Sequence, residues 1–285
     1  MLRIIEKTKI WFIASFLLIV IGIGFIAVRG LNFGIDFKGG TEIVIDMGKE
    51  FNKAEVDDVI KKYSPEAITN TVETTQLAIK ANNLDAGKVS ELVKELSDKY
   101  KLGDKALVSQ NEIGASVGKE LSKNSLIALG IAVLGMLIYV GFRFELNFGI
   151  AAILALLHDV LMTISIYAIF NVPVNSPFIA AILTIIGYSI NDTIVIFDRI
   201  RENNKKMRRA DSVEIANKSV TETMARSINT TLTTLITITA VYFFVPTVRE
   251  FAFPLIIGIV SGAYSSIFIA SPIWVMLKKR KAKLV

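Results

Sequence analysis

The sequence predicts a polytopic α-helical membrane protein with six membrane-crossing helices and one small α+β domain between the first and second. Three observations predict this. Of the 285 residues, 52% are hydrophobic and the mean hydropathy is +0.53, more apolar surface than a soluble domain could cover. Apolar stretches, most near the ~20 residues that cross a bilayer, recur at 10–28, 125–141, 147–170, 177–197, 226–246 and 251–275. Between residues 30 and 123 the composition turns polar and charged, as a water-exposed domain requires.

Positive charge sets the orientation. Arg3, Lys7 and Lys9 precede the first span, while Arg199, Arg201, Lys205, Lys206, Arg208 and Arg209 follow the fourth. Lys278, Lys279, Arg280, Lys281 and Lys283 close the sequence. An even number of spans puts these clusters and Arg143 on one side, and the opposite short loops carry only Arg249 beside Glu250. Both termini are therefore expected in the cytoplasm, with the protein in the cytoplasmic (inner) membrane. The chain divides into 1–29 (cytoplasmic start and first span), 30–123 (extracytoplasmic domain), 124–277 (five spans with a cytoplasmic loop over 198–225) and a basic cytoplasmic tail, 278–285. The net charge of +6 is thus explained by topology, and no nucleic acid is expected as a partner. The first span is too long for a signal-peptide core and lacks a small-residue cleavage site before Arg29, so it is expected to stay attached.

The element order follows from periodicity. Within the polar domain, Thr41–Asp46 alternates like a strand, and Lys53–Tyr63 repeats apolar residues at helical spacing. Thr74–Ala81 reads as a second strand. Asp85 is a plausible cap for a helix to Tyr100, whose Val89, Leu92, Val93 and Leu96 share one face. Ala106–Gln110 gives a short strand, and a further one is expected near Ile68–Thr71. That order suits a split βαβ, ferredoxin-like sandwich with two helices on one face of an antiparallel sheet. The segment leading into it, Asn32 to Thr41, carries Gly34, Asp36 and the adjacent Gly39 and Gly40, which read as a tight mechanical junction. The second span is expected to start before its apolar run. Asp211–Glu214 resembles a capping box, so the fifth helix is expected to begin in the cytoplasm and enter the membrane at Arg226. In the last span Gly258, Gly262, Ala263 and Ser266 favour close helix packing.

The absence of cysteine excludes disulfides, thiol catalysis and thiolate metal sites, and the single histidine, His158, leaves a protein-only zinc site without ligands. No GxxxxGK[ST] loop is present, so ATP is not the expected fuel. No metal, cofactor or enzymatic bond chemistry is expected.

Chemistry is instead expected at intramembrane polar groups. Asp192 sits in the nearly uncharged run 177–197, where a carboxylate near the bilayer centre costs about 3 kcal/mol. It lies about two turns from a charged helix end, so it is placed both to reach water and to bind a proton. Its residues admit two readings, a proton-binding or coupling acid and a static interhelical bond. Flanked by Ser189, Asn191 and Thr193, the carboxylate is compatible with H⁺ or Na⁺. His158 and Asp159, central in the third span, read either as helix-packing hydrogen bonds or as part of a proton path. Arg226 starts the fifth span and either snorkels to phosphate or biases Asp192. Thr230, Thr233, Thr234 and Thr237 follow it at helical spacing, a candidate polar stripe toward Asp192.

GIDFKGGT at 34–41, HDV at 158–160 and GYSINDTIVIFDRIREN at 187–203 together resemble the SecF family of protein-translocase subunits, over the whole chain. The resemblance implies half of a resistance–nodulation–division (RND) type bundle, completed by SecD as an obligate partner. It further implies work with the SecYEG channel, SecA and YajC on a translocating preprotein, driven by the proton motive force after SecA has acted. By motif, the family's intramembrane aspartate falls on Asp192 and its functional arginine on Arg226. Two other readings compete: an RND-type exporter of small molecules or lipids, and a scaffold subunit that couples nothing.

Overall fold

The computed structural model describes residues 2–72, 74–103 and 106–282. The basic segment expected at 278–285 therefore lies partly outside the described residues.

Among the described residues, six helical segments are long and apolar enough to cross a membrane. They are α1 (Thr8–Arg29), α5 (Ala115–Arg143), α6 (Leu146–Phe170), α7 (Ser176–Lys206), α8 (Ser212–Phe244) and a last span built from α9 (Arg249–Ser265), a π-helical turn (Ser266–Ala270) and α10 (Ser271–Ala282). Several outrun their apolar stretches because their ends are polar. α5 starts well before residue 125, as expected. α8 starts at Ser212 with Asp211 as its cap, the Asp211 carboxylate accepting the Glu214 amide at 2.8 Å. The π turn precedes Pro272, which has no N–H to give the helix, and Ser271 Oγ donates to Ser266 O at 3.2 Å across it.

Between α1 and α5 lie the one-turn helix α2 (Ile35–Lys38), β1 (Gly40–Asp46), α3 (Lys53–Tyr63), β2 (Ile68–Val72), β3 (Gln76–Ala81), α4 (Ala86–Tyr100) and β4 (Leu107–Ile113). The sheet order is β2-β3-β1-β4 with every pair antiparallel, the ferredoxin-like arrangement. Ile43 and Ile45 of β1 and Leu77 and Ile79 of β3 bury against Val56, Val59 and Ile60 of α3 and Leu92 and Leu96 of α4. Each such side chain contributes about 1.5–3 kcal/mol. Asp85 caps α4, accepting the Lys88 amide at 2.9 Å.

The segment expected as a plain turn before β1 contains the α2 helix, too short to show a period. Gly39 (φ +81°) ends it and Gly40 (φ +150°) opens the sheet, backbone conformations that disfavour side chains. The Gly34 amide donates to Val174 O at 2.9 Å, and a Cβ at Gly34 would overlap the Asn175 side chain. Asp36 Oδ2 accepts the Ser176 amide at 2.8 Å, supplying from α2 an acceptor for the first turn of α7. The junction thus clasps the domain to the connection between α6 and α7 and to the start of α7. A second tie joins Lys80 of β3 to Glu250 of α9 at 2.7 Å, and Asn175 Nδ2 donates to the other Glu250 oxygen at 2.9 Å.

In the bundle, α7 and the last span form the centre, while α1, α5 and α8 are largely exposed. α7 and α9 run parallel with matched four-residue steps. A Cβ at Gly258 would overlap Ile185, one at Gly262 would lie 3.0 Å from Ser189 Cβ, and Ser266 Oγ meets Thr193 Oγ1 at 2.8 Å. Ala263 is only half-buried beside this ladder. At the other end Phe148, Phe197 and Trp274 stack with ring centroids 4.9 and 5.2 Å apart. Beyond them Asp198 pairs with Arg143 at 2.9 Å, and Arg199 donates to Glu222 at 2.7 Å.

Candidate functional site: two intramembrane acids in unlike settings

Asp159 is fully buried at the meeting of α6, α7 and α9. Ser261 Oγ donates to its Oδ1 at 2.7 Å, while Ser189 Oγ at 2.6 Å and Ser265 Oγ at 2.7 Å donate to Oδ2. His158 Nδ1 stands 3.1 Å from Oδ1. A carboxylate has about four lone-pair sites, and four donors fill them here. His158 Nε2 in turn lies 2.9 Å from Ser15 Oγ of α1, and the imidazole stacks on Tyr264.

Asp192 is one turn beyond Ser189 on α7 and is only partly buried. Ser227 Oγ of α8 donates to its Oδ1 at 2.7 Å. Its Oδ2 is buried and, among the described residues, has no hydrogen-bond partner. Leaving a buried acceptor unsatisfied costs about 1–3 kcal/mol, more when it is charged. The two acids are therefore chemically unlike: one is saturated with donors, the other is short of them.

The other expected residues sort as follows. Thr193 is buried beside Asp192 and bonds Ser266, not the carboxylate; Asn191 faces outward and is exposed. Arg226 is exposed, next in sequence to Ser227, and no ion pair within 4.0 Å joins it to Asp192 among the described residues. The threonine stripe does not point at Asp192. Thr230, Thr233, Thr234 and Thr237 return their hydroxyls to carbonyls of their own helix, the usual habit of helical threonine. Thr230 and Thr234 meet Tyr188 instead, whose hydroxyl lies 3.2 Å from Thr230 O and from Thr234 Oγ1. Gly34, Asp36, Gly39 and Gly40 form the junction described above, away from both acids.

Sequence reasoning missed Ser15, Ser227, Ser261, Ser265 and Tyr264. Serine reads as neutral in a hydropathy profile, and each earns its contact from another helix. The i, i+4 spacing of Ser261 and Ser265 was the one signal present.

The sequence family described as "Protein export membrane protein SecD/SecF, C-terminal" matches residues 92–280, and the "SecD/SecF GG Motif" matches residues 24–49. The chain is 38% identical to the protein translocase subunit SecF of Sebaldella termitidis, over 98% of this chain and 93% of that one. The chain belongs to the SecF family. It is also 36% identical to SecF of Haemophilus influenzae, over 92% of this chain and 82% of that protein. SecDF of Bacillus subtilis matches at 38% identity over 98% of this chain, but the match covers only 38% of that longer protein. Among solved structures, a crystal structure of SecDF from Thermus, described as a translocon-associated membrane protein, superposes with a TM-score of 0.83 at 33% identity. It covers 98% of this chain, which spans 39% of the SecDF chain. SecDF in its super-membrane-facing form gives a TM-score of 0.75. The chain is thus a multi-pass membrane protein and a translocase subunit of the SecF type.

Proposed function

We propose that this subunit couples an ion gradient to protein export, with Asp192 as the group that takes up and releases the coupling proton. The observation that carries the reading is the buried, partnerless Oδ2 of Asp192. Uptake of a proton there neutralises the carboxylate and its release restores the charge, so the two states differ in the electrostatics between α7 and α8. Ser227 is the direct contact through which α8 feels the change, while the exposed Arg226 beside it acts at longer range or on a partner. Crossing the full field, one proton supplies about 2.3 kcal/mol per 100 mV, and about 1.4 kcal/mol already shifts a two-state equilibrium tenfold. Asp159, with every acceptor site filled, serves as a fixed polar anchor.

The partner in this reading is SecD. The family's fused SecDF chains support it, as does the exposure of α5 and α8, which leaves Arg226 and Asn191 on a surface fit for a second half-bundle. Together the two halves would draw preprotein through SecYEG after SecA has acted, with YajC as companion and the α+β domain on the extracytoplasmic face of the cytoplasmic membrane. The positive-inside pattern supports cytoplasmic termini.

The test is gradient-dependent preprotein translocation in vesicles holding SecYEG, SecA and the cognate SecD, with wild type and Asp192→Asn at matched assembly. Loss of the gradient-stimulated component alone is expected. An unchanged gradient response would reduce Asp192 to a packing residue.

A further inference from the structure

Two hydroxyls and one imidazole join α1 to the Asp159 cage, and their protons do not suffice for every contact at once. Tyr264 Oη donates to Trp11 O at 2.8 Å. Ser15 Oγ lies 3.3 Å from Tyr264 Oη and 2.9 Å from His158 Nε2, yet it has a single proton to give. If Ser15 donates to Nε2, the imidazole is neutral, with its proton on Nδ1 facing Asp159. If Ser15 donates to Tyr264, Nε2 must itself donate to Ser15. Nδ1 must still donate to Asp159, whose other three acceptor sites are filled by serines, so the ring is then an imidazolium. The geometry holds both states without moving a heavy atom.

From this we propose that His158 is a second proton-binding group of the chain and that Ser15 reads its charge for α1. Uptake of one proton at Nε2 leaves the Nδ1 donation to Asp159 in place and turns Nε2 from acceptor to donor. The Ser15 proton then passes from Nε2 to Tyr264 Oη, which keeps its own donation to Trp11. The site goes from one net negative charge to none. The titratable groups touching the ring are Asp159 on its own helix and Tyr264 on α9; α1 faces it with Ser15, and the nearest other acid on α7, Asp192, lies one turn past Ser189, which donates to Asp159.

α1 is suited to read this state. It is peripheral, and a groove of about 470 Å³ opens between α1, α6 and α9 with Ser15, Ser261 and Tyr264 on its wall. α1 runs directly into the clasp, where Asn32 O accepts the Val174 amide at 2.7 Å ahead of Gly34. A change in the Ser15 bond therefore has a short mechanical route to the α+β domain. The inference rests on the chain responding to an ion gradient, but not on Asp192 being the acid that does so.

The test uses the full chain assembled with SecD in liposomes, with ¹⁵N-histidine in this chain alone. Its single histidine makes the signal unambiguous. As the pH falls from about 8 to about 5, the ¹⁵N spectrum is expected to pass from a neutral ring protonated on Nδ1 to an imidazolium. Ser15→Ala is expected to move the midpoint by about one pH unit, the margin by which the bond Ser15 accepts from the charged ring exceeds the one it donates to the neutral ring, and to lower gradient-stimulated translocation, with Ser15→Thr restoring both. A ring that stays in one form throughout, or a midpoint unmoved by Ser15→Ala, overturns the proposal. In Asp192→Asn the His158 titration should persist. If His158 behaves as stated while Asp192→Asn transports normally, the Asp192 reading fails and this one stands; if Asp192→Asn abolishes coupling and His158 never titrates, the reverse holds.

Discussion

Two aspartates, at residues 159 and 192, differ in one countable property, the number of donors each receives. Asp159→Asn leaves serine hydroxyls and an imidazole without their anion in a dry site. It is expected to cost about 3 kcal/mol, seen as a lower thermal midpoint of the purified protein. Ser227→Ala removes the donor to Asp192 with little change in volume. It should lower the thermal midpoint less than Asp159→Asn does, by the equivalent of about 1 kcal/mol, and cut gradient-stimulated translocation about tenfold, the equivalent of one hydrogen bond to a charged group. Equal effects of the two substitutions on stability would contradict the distinction. Asp192 was legible in the sequence because charge in an apolar run stands out. Its surroundings were not: serine carries no hydropathy signal, and the threonines that looked like a stripe toward it satisfy themselves on their own helix.

At the level of elements, close packing of α7 against α9 joins the helix that carries Asp192 to two of the serines that hold Asp159. Gly258→Ala places a methyl where Ile185 stands and is expected to destabilise by about 1–3 kcal/mol, with Ile185→Ala recovering part of the loss in a double-mutant cycle. Additive losses would mean that the helices separate freely there. The far end of α9 is tied to the domain by Lys80 and Glu250. Burial draws the Lys80 ammonium down, but Glu250, with Glu42 and Asp36, more than offsets this and holds it above its ordinary 10.5. A raised value in the folded state means that the tie contributes fully below pH 10.5 and is lost as pH rises through the raised value. Lys80→Met should loosen the domain at neutral pH by about 2 kcal/mol, read as faster hydrogen exchange in β3 and at Gly34–Lys38. Unchanged exchange would leave the glycine clasp as the whole attachment. The sequence displayed α3, α4 and the caps at Asp85 and Asp211 because periodicity and capping are local. α2 stayed hidden because four residues show no period, and the Lys80 tie because it joins positions 170 residues apart.

Taken whole, the molecule is a half-built bundle: α7 and the last span are enclosed, while α5 and α8 present Leu126, Ile131, Leu134, Leu232 and Ile236 outward. Lipid covers part of that surface, and a SecD half-bundle against α8 would bring Arg226 and Asn191 indoors. The count of spans was readable from composition, and which faces are enclosed was not, since lipid-facing and partner-facing residues are equally apolar. Proton cycling at the Asp192 carboxyl is open to one direct measurement, infrared difference spectra of the SecD-assembled chain taken across a pH step. A protonated-carboxyl band present in wild type and missing in Asp192→Asn is expected; the same band persisting in Asp192→Asn would mean that another group takes the proton.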